Sequence, residues 1–173
     1  MHLEQQAAPR PRDLRWVIFL LTGGGSSNES IVSDGLGSQG SSNTFFINWM
    51  KEWSRKVAIA KALDGIRQEI ADSADRTKLD RAEFSIARRG QRLDPAINRS
   101  EIEKAILPID VFPRCVLVLT MLEGLPFEDT ALLLGAGEEL TKKGYAVGLQ
   151  EFTNQLVRMQ AGPSWRPGSA IAA

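Results

Sequence analysis

Cysteine, histidine and tyrosine each occur once in the 173 residues of this chain. A lone cysteine, Cys115, excludes an internal disulfide and a cysteine-based zinc site. It lies within an apolar run and reads as a buried, inert thiol. The only histidine is His2, at the start of the chain, which removes most Ser–His and Cys–His catalysis and histidine-rich metal sites. Long apolar runs are also missing. Trp16–Leu21 is too short for a signal-peptide core or a membrane span, so a cytoplasmic chain without membrane contact is expected. Neither sign of charge is in excess, with 21 basic and 21 acidic side chains. A phosphate loop is absent as well, because Gly23–Gly25 lacks the Gly-Lys-Ser/Thr ending. Gly35-Leu36-Gly37-Ser38-Gln39-Gly40 matches GxGxxG literally, but no strand pattern precedes it and position 60, where an acidic residue belongs, is Ala60. With no nucleophile–base pair, metal cluster or phosphate loop, the sequence predicts neither an enzyme nor a cofactor.

What is present is ordinary globular composition, 43% hydrophobic and 24% charged, with charge unevenly placed. Residues 41–93 carry eleven basic and seven acidic side chains (+4), residues 101–139 two and eight (−6), and residues 140–173 four and one (+3). Nucleic-acid binders usually carry a basic excess, so any DNA contact must be local, and the acidic section suits a basic protein partner. Asp13 is placed to cap a helix through Trp16, Ile18 and Leu21 that ends at Thr22-Gly23. Two Gly/Ser-rich stretches, around a short helix at Glu29–Leu36, lead to the longest helical pattern, Thr44–Ile70. There Phe46, Trp49 or Met50, Trp53, Val57, Ala60, Leu63, Ile66 and Ile70 recur every three or four residues and predict one buried face. Five basic and two acidic residues lie between Thr44 and Arg67. Aromatic rings interleaved with cations can hold unstacked bases and phosphates, and a core helix with solvated cations fits the same spacing. Asp72–Arg99 is charged and reads as a helical extension followed by an interdomain linker, in which Arg88, Arg89 and Arg92 are solvated or touch phosphate. Ser100 opens a capped helix that runs to Leu107.

Phe112–Leu156 predicts three helices with two Gly-marked turns. Pro113 suits a first helical turn, Gly124 a left-handed stop, Pro126 a second start with Glu128 and Asp129 behind it, and Gly135 a second stop. A third helix begins near Glu138 and keeps Tyr145, Phe152, Leu156 and Met159 on one stripe. Two short helices across a Gly-containing turn form a helix-turn-helix pattern.

LEGLPFEDTALLLG, residues 122–135, resembles region four of the extracytoplasmic-function group of bacterial sigma factors without a gap. FINWMKEWSRKVAIAKAL, residues 46–63, resembles the family's region two, and Leu20-Leu21-Thr22-Gly23 matches its common LLTG. The resemblance implies an all-α chain of two small helical domains: a region two-like bundle over 12–72, a charged linker over 73–99, a region four-like helix-turn-helix over 100–160, and a tail over 161–173. It implies a role in transcription initiation with core RNA polymerase and promoter DNA as partners. Arg55 and Lys56, with Lys51 and Lys61 nearby, would contact the promoter strand; Lys142 and Lys143 would meet the −35 element; Ile31, Val32 and Asp34 occupy the polymerase-binding place.

Residue chemistry moderates that expectation at the third helix. A groove-reading helix needs base-reading side chains and cations. This one carries Gly144, Val147 and Leu149 where the family carries cations, and Glu138 and Glu139 at its start. The sequence therefore predicts weakened −35 recognition. It also leaves open a second reading, in which the same fold serves as an interaction module for a protein regulator or for self-association.

Overall fold

One helix lies at the centre of the described residues, and every side chain in it but Arg114 is apolar. In the computed structural model, which describes residues 13–24, 44–79 and 97–160, the helices are α1 (Leu14–Thr22), α2 (Thr44–Gly65), α3 (Arg67–Leu79), α4 (Arg99–Ile106), α5 (Val111–Leu117), α6 (Phe127–Leu134) and α7 (Glu138–Gln160). The described residues contain no strand, so they are all-helical, as expected. α5 runs on through a wide turn, Val118–Leu122, in which the Glu123 N–H reaches back five residues to the Val118 carbonyl at 3.1 Å. Phe112, Cys115, Val116, Val118 and Leu119 have no exposed surface. A helix apolar all round must be surrounded. α1, α3 and α7 pack directly on α5, and Val17, Leu20, Leu21, Ile59, Leu63, Ile70, Ala74, Ile106 and Leu134 join its residues in one continuous apolar cluster.

That cluster crosses the boundary at which the sequence suggests two units. Residues 73–79, read as a helical extension leading into the linker, form the second half of α3, and Ser73, Ala74 and Thr77 are buried there. The Thr44–Ile70 pattern is broken at Gly65-Ile66, where the residue with the poorest helix propensity in the run allows α3 to turn onto α5. α4 is capped by Asn98, two residues before the expected Ser100. The Asn98 side chain accepts from the Glu101 N–H at 3.0 Å, and the Glu101 carboxylate accepts from the Asn98 N–H at 2.9 Å. Gly124 (φ 71°) and Gly135 (φ 65°) are left-handed stops, as their positions predict. Glu29–Leu36, the GxGxxG run, Ile31, Val32, Asp34, Arg88, Arg89, Arg92 and the tail lie outside the described residues.

Polar groups around α5 are tied in by its neighbours. At its N-terminus, Ser73 of α3 accepts the Phe112 N–H at 2.8 Å. Asp110 accepts the Val111 N–H at 2.9 Å and takes both arms of the Arg76 guanidinium at 2.8 and 2.9 Å. On its flank, the buried Arg114 donates to the carbonyls of Leu107 (3.0 Å), Ile109 (3.4 Å) and Leu21 (3.4 Å), where α4 and α1 end. A cation suits those helix ends, where unpaired carbonyls concentrate negative potential. Trp16 of α1 donates to Glu103 of α4 at 2.8 Å, with the Arg99 guanidinium over its ring.

α7 approaches α5 through two glycines. A Cβ at Gly144 would stand 2.7 Å from a ring carbon of Phe112, and one at Gly148 would stand 2.9 Å from the Pro113 carbonyl oxygen. Helix propensity alone counts both glycines as a weakness, and the packing gives them a role. Each gives up about 1 kcal/mol of helix propensity, Gly144 to admit the Phe112 ring and Gly148 to admit the Pro113 carbonyl. Gly148→Ala should therefore destabilise the chain by about 1–3 kcal/mol despite alanine's better propensity, seen as a lower urea midpoint.

The Asp110 pair adds a pH dependence. The Arg76 hydrogen bonds, helped by the Val111 N–H and the Ser73 hydroxyl and opposed by partial burial, hold the Asp110 carboxyl down to about 2 from 3.8. A carboxyl depressed in the folded state favours folding above its unfolded value, and that contribution disappears as pH falls through about 2. Urea midpoints of the natural chain should fall more steeply between about pH 4 and pH 2 than those of Asp110→Asn.

Candidate binding surface

The segment expected to form a helix-turn-helix is helical at α5, α6 and α7, and α7 is occupied by packing. α7 buries Thr141, Gly144, Val147, Gly148 and Leu156, while Tyr145 and Phe152 pack at the edge of the core. The Phe127 ring of α6 meets Tyr145 edge-on at 5.4 Å. Lys142 pairs with Glu138 at 2.8 Å and Glu139 at 3.1 Å, and those two hydrogen bonds raise its pKa. Lys143 donates to the Lys78 carbonyl at 3.0 Å, at the C-terminal end of α3. Both cations expected at the −35 element thus have partners within the chain. The remaining charges of α7, Glu151 against Arg158, cancel. Val147, expected on the outer face, is buried, and Leu149 is exposed.

The α2 cations divide three ways. Arg55 sits on the core side of its helix, with Nε 2.7 Å and Nη2 2.6 Å from the two carboxylate oxygens of Glu123. Glu123, only 8% exposed at its side chain, closes the wide turn after α5, where a bare negative charge opposes the helix dipole. Arg55 therefore secures α2 to the end of α5. Lys51, Lys56 and Lys61 are exposed and make no ion pair with another described side chain. At 100° per residue, Lys56 and Lys61 lie roughly 70° to either side of the outward face, whereas Lys51 points away from it.

That outward face carries the largest difference from the sequence reading. Trp49 and Trp53, one turn apart, are 52% and 56% exposed, and Met50 and Val57 beside them are also exposed. The buried face consists instead of Ala58, Ile59, Ala62 and Leu63. α2 thus has two apolar stripes, and the core takes the one with smaller side chains. The signal was available in the sequence, since Ala58 and Ala62, with Ile59 and Leu63, have the same spacing as the tryptophans.

Elsewhere, Cys115 is fully buried against the Leu21 carbonyl, and burial pushes its thiol up to about 12, far from nucleophilic use. No cluster of three or more metal-ligating side chains occurs among the described residues, and no described helix is long and apolar enough to cross a membrane. The chain matches no family model, no curated protein and no solved structure.

Arg55→Ala should cost about 2–4 kcal/mol in urea unfolding, because it leaves the enclosed Glu123 carboxylate unpaired. Adding Glu123→Gln should restore much of that loss, which identifies the guanidinium as a structural partner.

Proposed function

We propose that this protein is a non-catalytic, sigma-like module of transcription initiation in the cytoplasm, and that α2 rather than the third helix of the helix-turn-helix carries its nucleic-acid contact. Core RNA polymerase and promoter DNA are its partners in this reading, with −35 recognition weak. The observation that carries it is the outward-facing Trp53, flanked by Lys56 and Lys61, which make no ion pair with another described side chain. The exposed Trp53 ring offers a stacking face to an unpaired base, worth about 1–3 kcal/mol, and the flanking ammonium groups meet the phosphates. A duplex hides its base faces, so this surface favours a melted strand. The resemblance of residues 46–63 to the family's strand-melting region supports the same assignment.

Tryptophan fluorescence titrated with a single-stranded oligonucleotide and its duplex, each at two salt concentrations, tests it. Single strands should bind more tightly, with a log–log salt slope of about −1.4 for the two flanking cations. Trp53→Ala should weaken binding by about 5- to 100-fold, and Lys142→Ala should change it little. Absence of single-strand binding at low salt, together with failure to co-fractionate with core polymerase, overturns this reading.

A further inference from the structure

A second exposed apolar side chain has the opposite setting to the α2 face. Leu132 of α6 is 80% exposed, and Glu128 and Asp129, one turn earlier on either side of it, are exposed too. Negative charge near the start of a helix is favourable in its own right, which accounts for the two acids. It does not account for an almost fully exposed leucine between them. Neither acid forms an ion pair with another described side chain. On α2 the pattern is mirrored in sign, an apolar Trp49–Trp53–Val57 ridge with Lys56 and Lys61 beside it. α2 and α6 are also packed neighbours in the fold.

We infer that the α2 face of one chain docks on the α6 face of a second copy, and the reverse, in a two-fold dimer. Trp53 meets Leu132 at the centre, and Lys56 and Lys61 meet Glu128 and Asp129 at the rim. A two-fold contact joins each patch to its complement on the other copy, and the helices that carry the two patches are neighbours within each protomer. Tryptophan at the centre with charge at the edge is the usual composition of a stable interface. A net charge of zero removes the long-range repulsion between copies. The dimer covers the ridge assigned above to unpaired bases, so a single strand and a second copy compete for it.

Charge exchange tests the arrangement without altering the core. Sedimentation equilibrium of the natural chain at low salt should show a concentration-dependent dimer that weakens as salt rises. Glu128→Lys with Asp129→Lys, and separately Lys56→Glu with Lys61→Glu, should each weaken self-association by about tenfold or more, since each sets like charges against each other. Mixing the two variants should restore a mixed dimer, because both of its contacts are again complementary. The Glu128→Lys, Asp129→Lys variant should keep its single-strand binding, which separates this inference from the function proposed above. Circular dichroism should show unchanged helix content in both. A natural chain that stays monomeric up to its solubility limit overturns the dimer, as do variants that dimerise like the natural chain or a mixture that fails to associate.

Discussion

Burial of α5 is the constraint on which the rest of the structure depends. A helix without a polar face is stable in water only when other helices cover it all round, and α1, α3 and α7 do so directly. Its polar groups then need partners from the surrounding chain, because a buried donor or charge left unpaired costs more than the bond itself contributes. Ser73 and Arg76 serve the N-terminal end, Arg114 links the flank to the ends of α1 and α4, and Arg55 neutralises Glu123 at the far end. The apolar cluster and this set of polar ties involve the same helices, which is why residues on both sides of the expected linker share one core.

This allocation of cations shapes the functional reading. A chain with no net charge has few cations to spare. Arg55, Arg76, Arg114, Lys142 and Lys143 are engaged with carboxylates or carbonyls of the chain itself. The third helix of the helix-turn-helix is therefore a packing element whose outward charges nearly cancel. Lys56 and Lys61 are exposed beside Trp53 on α2, and it is this surface, rather than α7, on which the proposed function rests.

Local signals in the sequence carried much of the secondary structure. Asp13, Gly23, Gly124, Pro126 and Gly135 mark where helices start and stop through chemistry confined to a residue or two: a side-chain acceptor, a fixed φ, or a missing Cβ. Cys115 within an apolar run was legible as a buried thiol for the same reason. Gly144 and Gly148 were legible only as poor helix formers. Their role depends on Phe112 and Pro113, some thirty residues away in the chain.

The sequence by itself determined the helical character of the described residues and the ends of most of their helices. Tertiary structure alone decided which stripe of α2 faces inward, because helical spacing identifies faces without saying which one a neighbour will cover. It also decided where the cations go. A lysine or arginine reads the same in sequence whether it meets phosphate, a carboxylate 68 residues away or a helix-end carbonyl, and only the packed geometry distinguishes them.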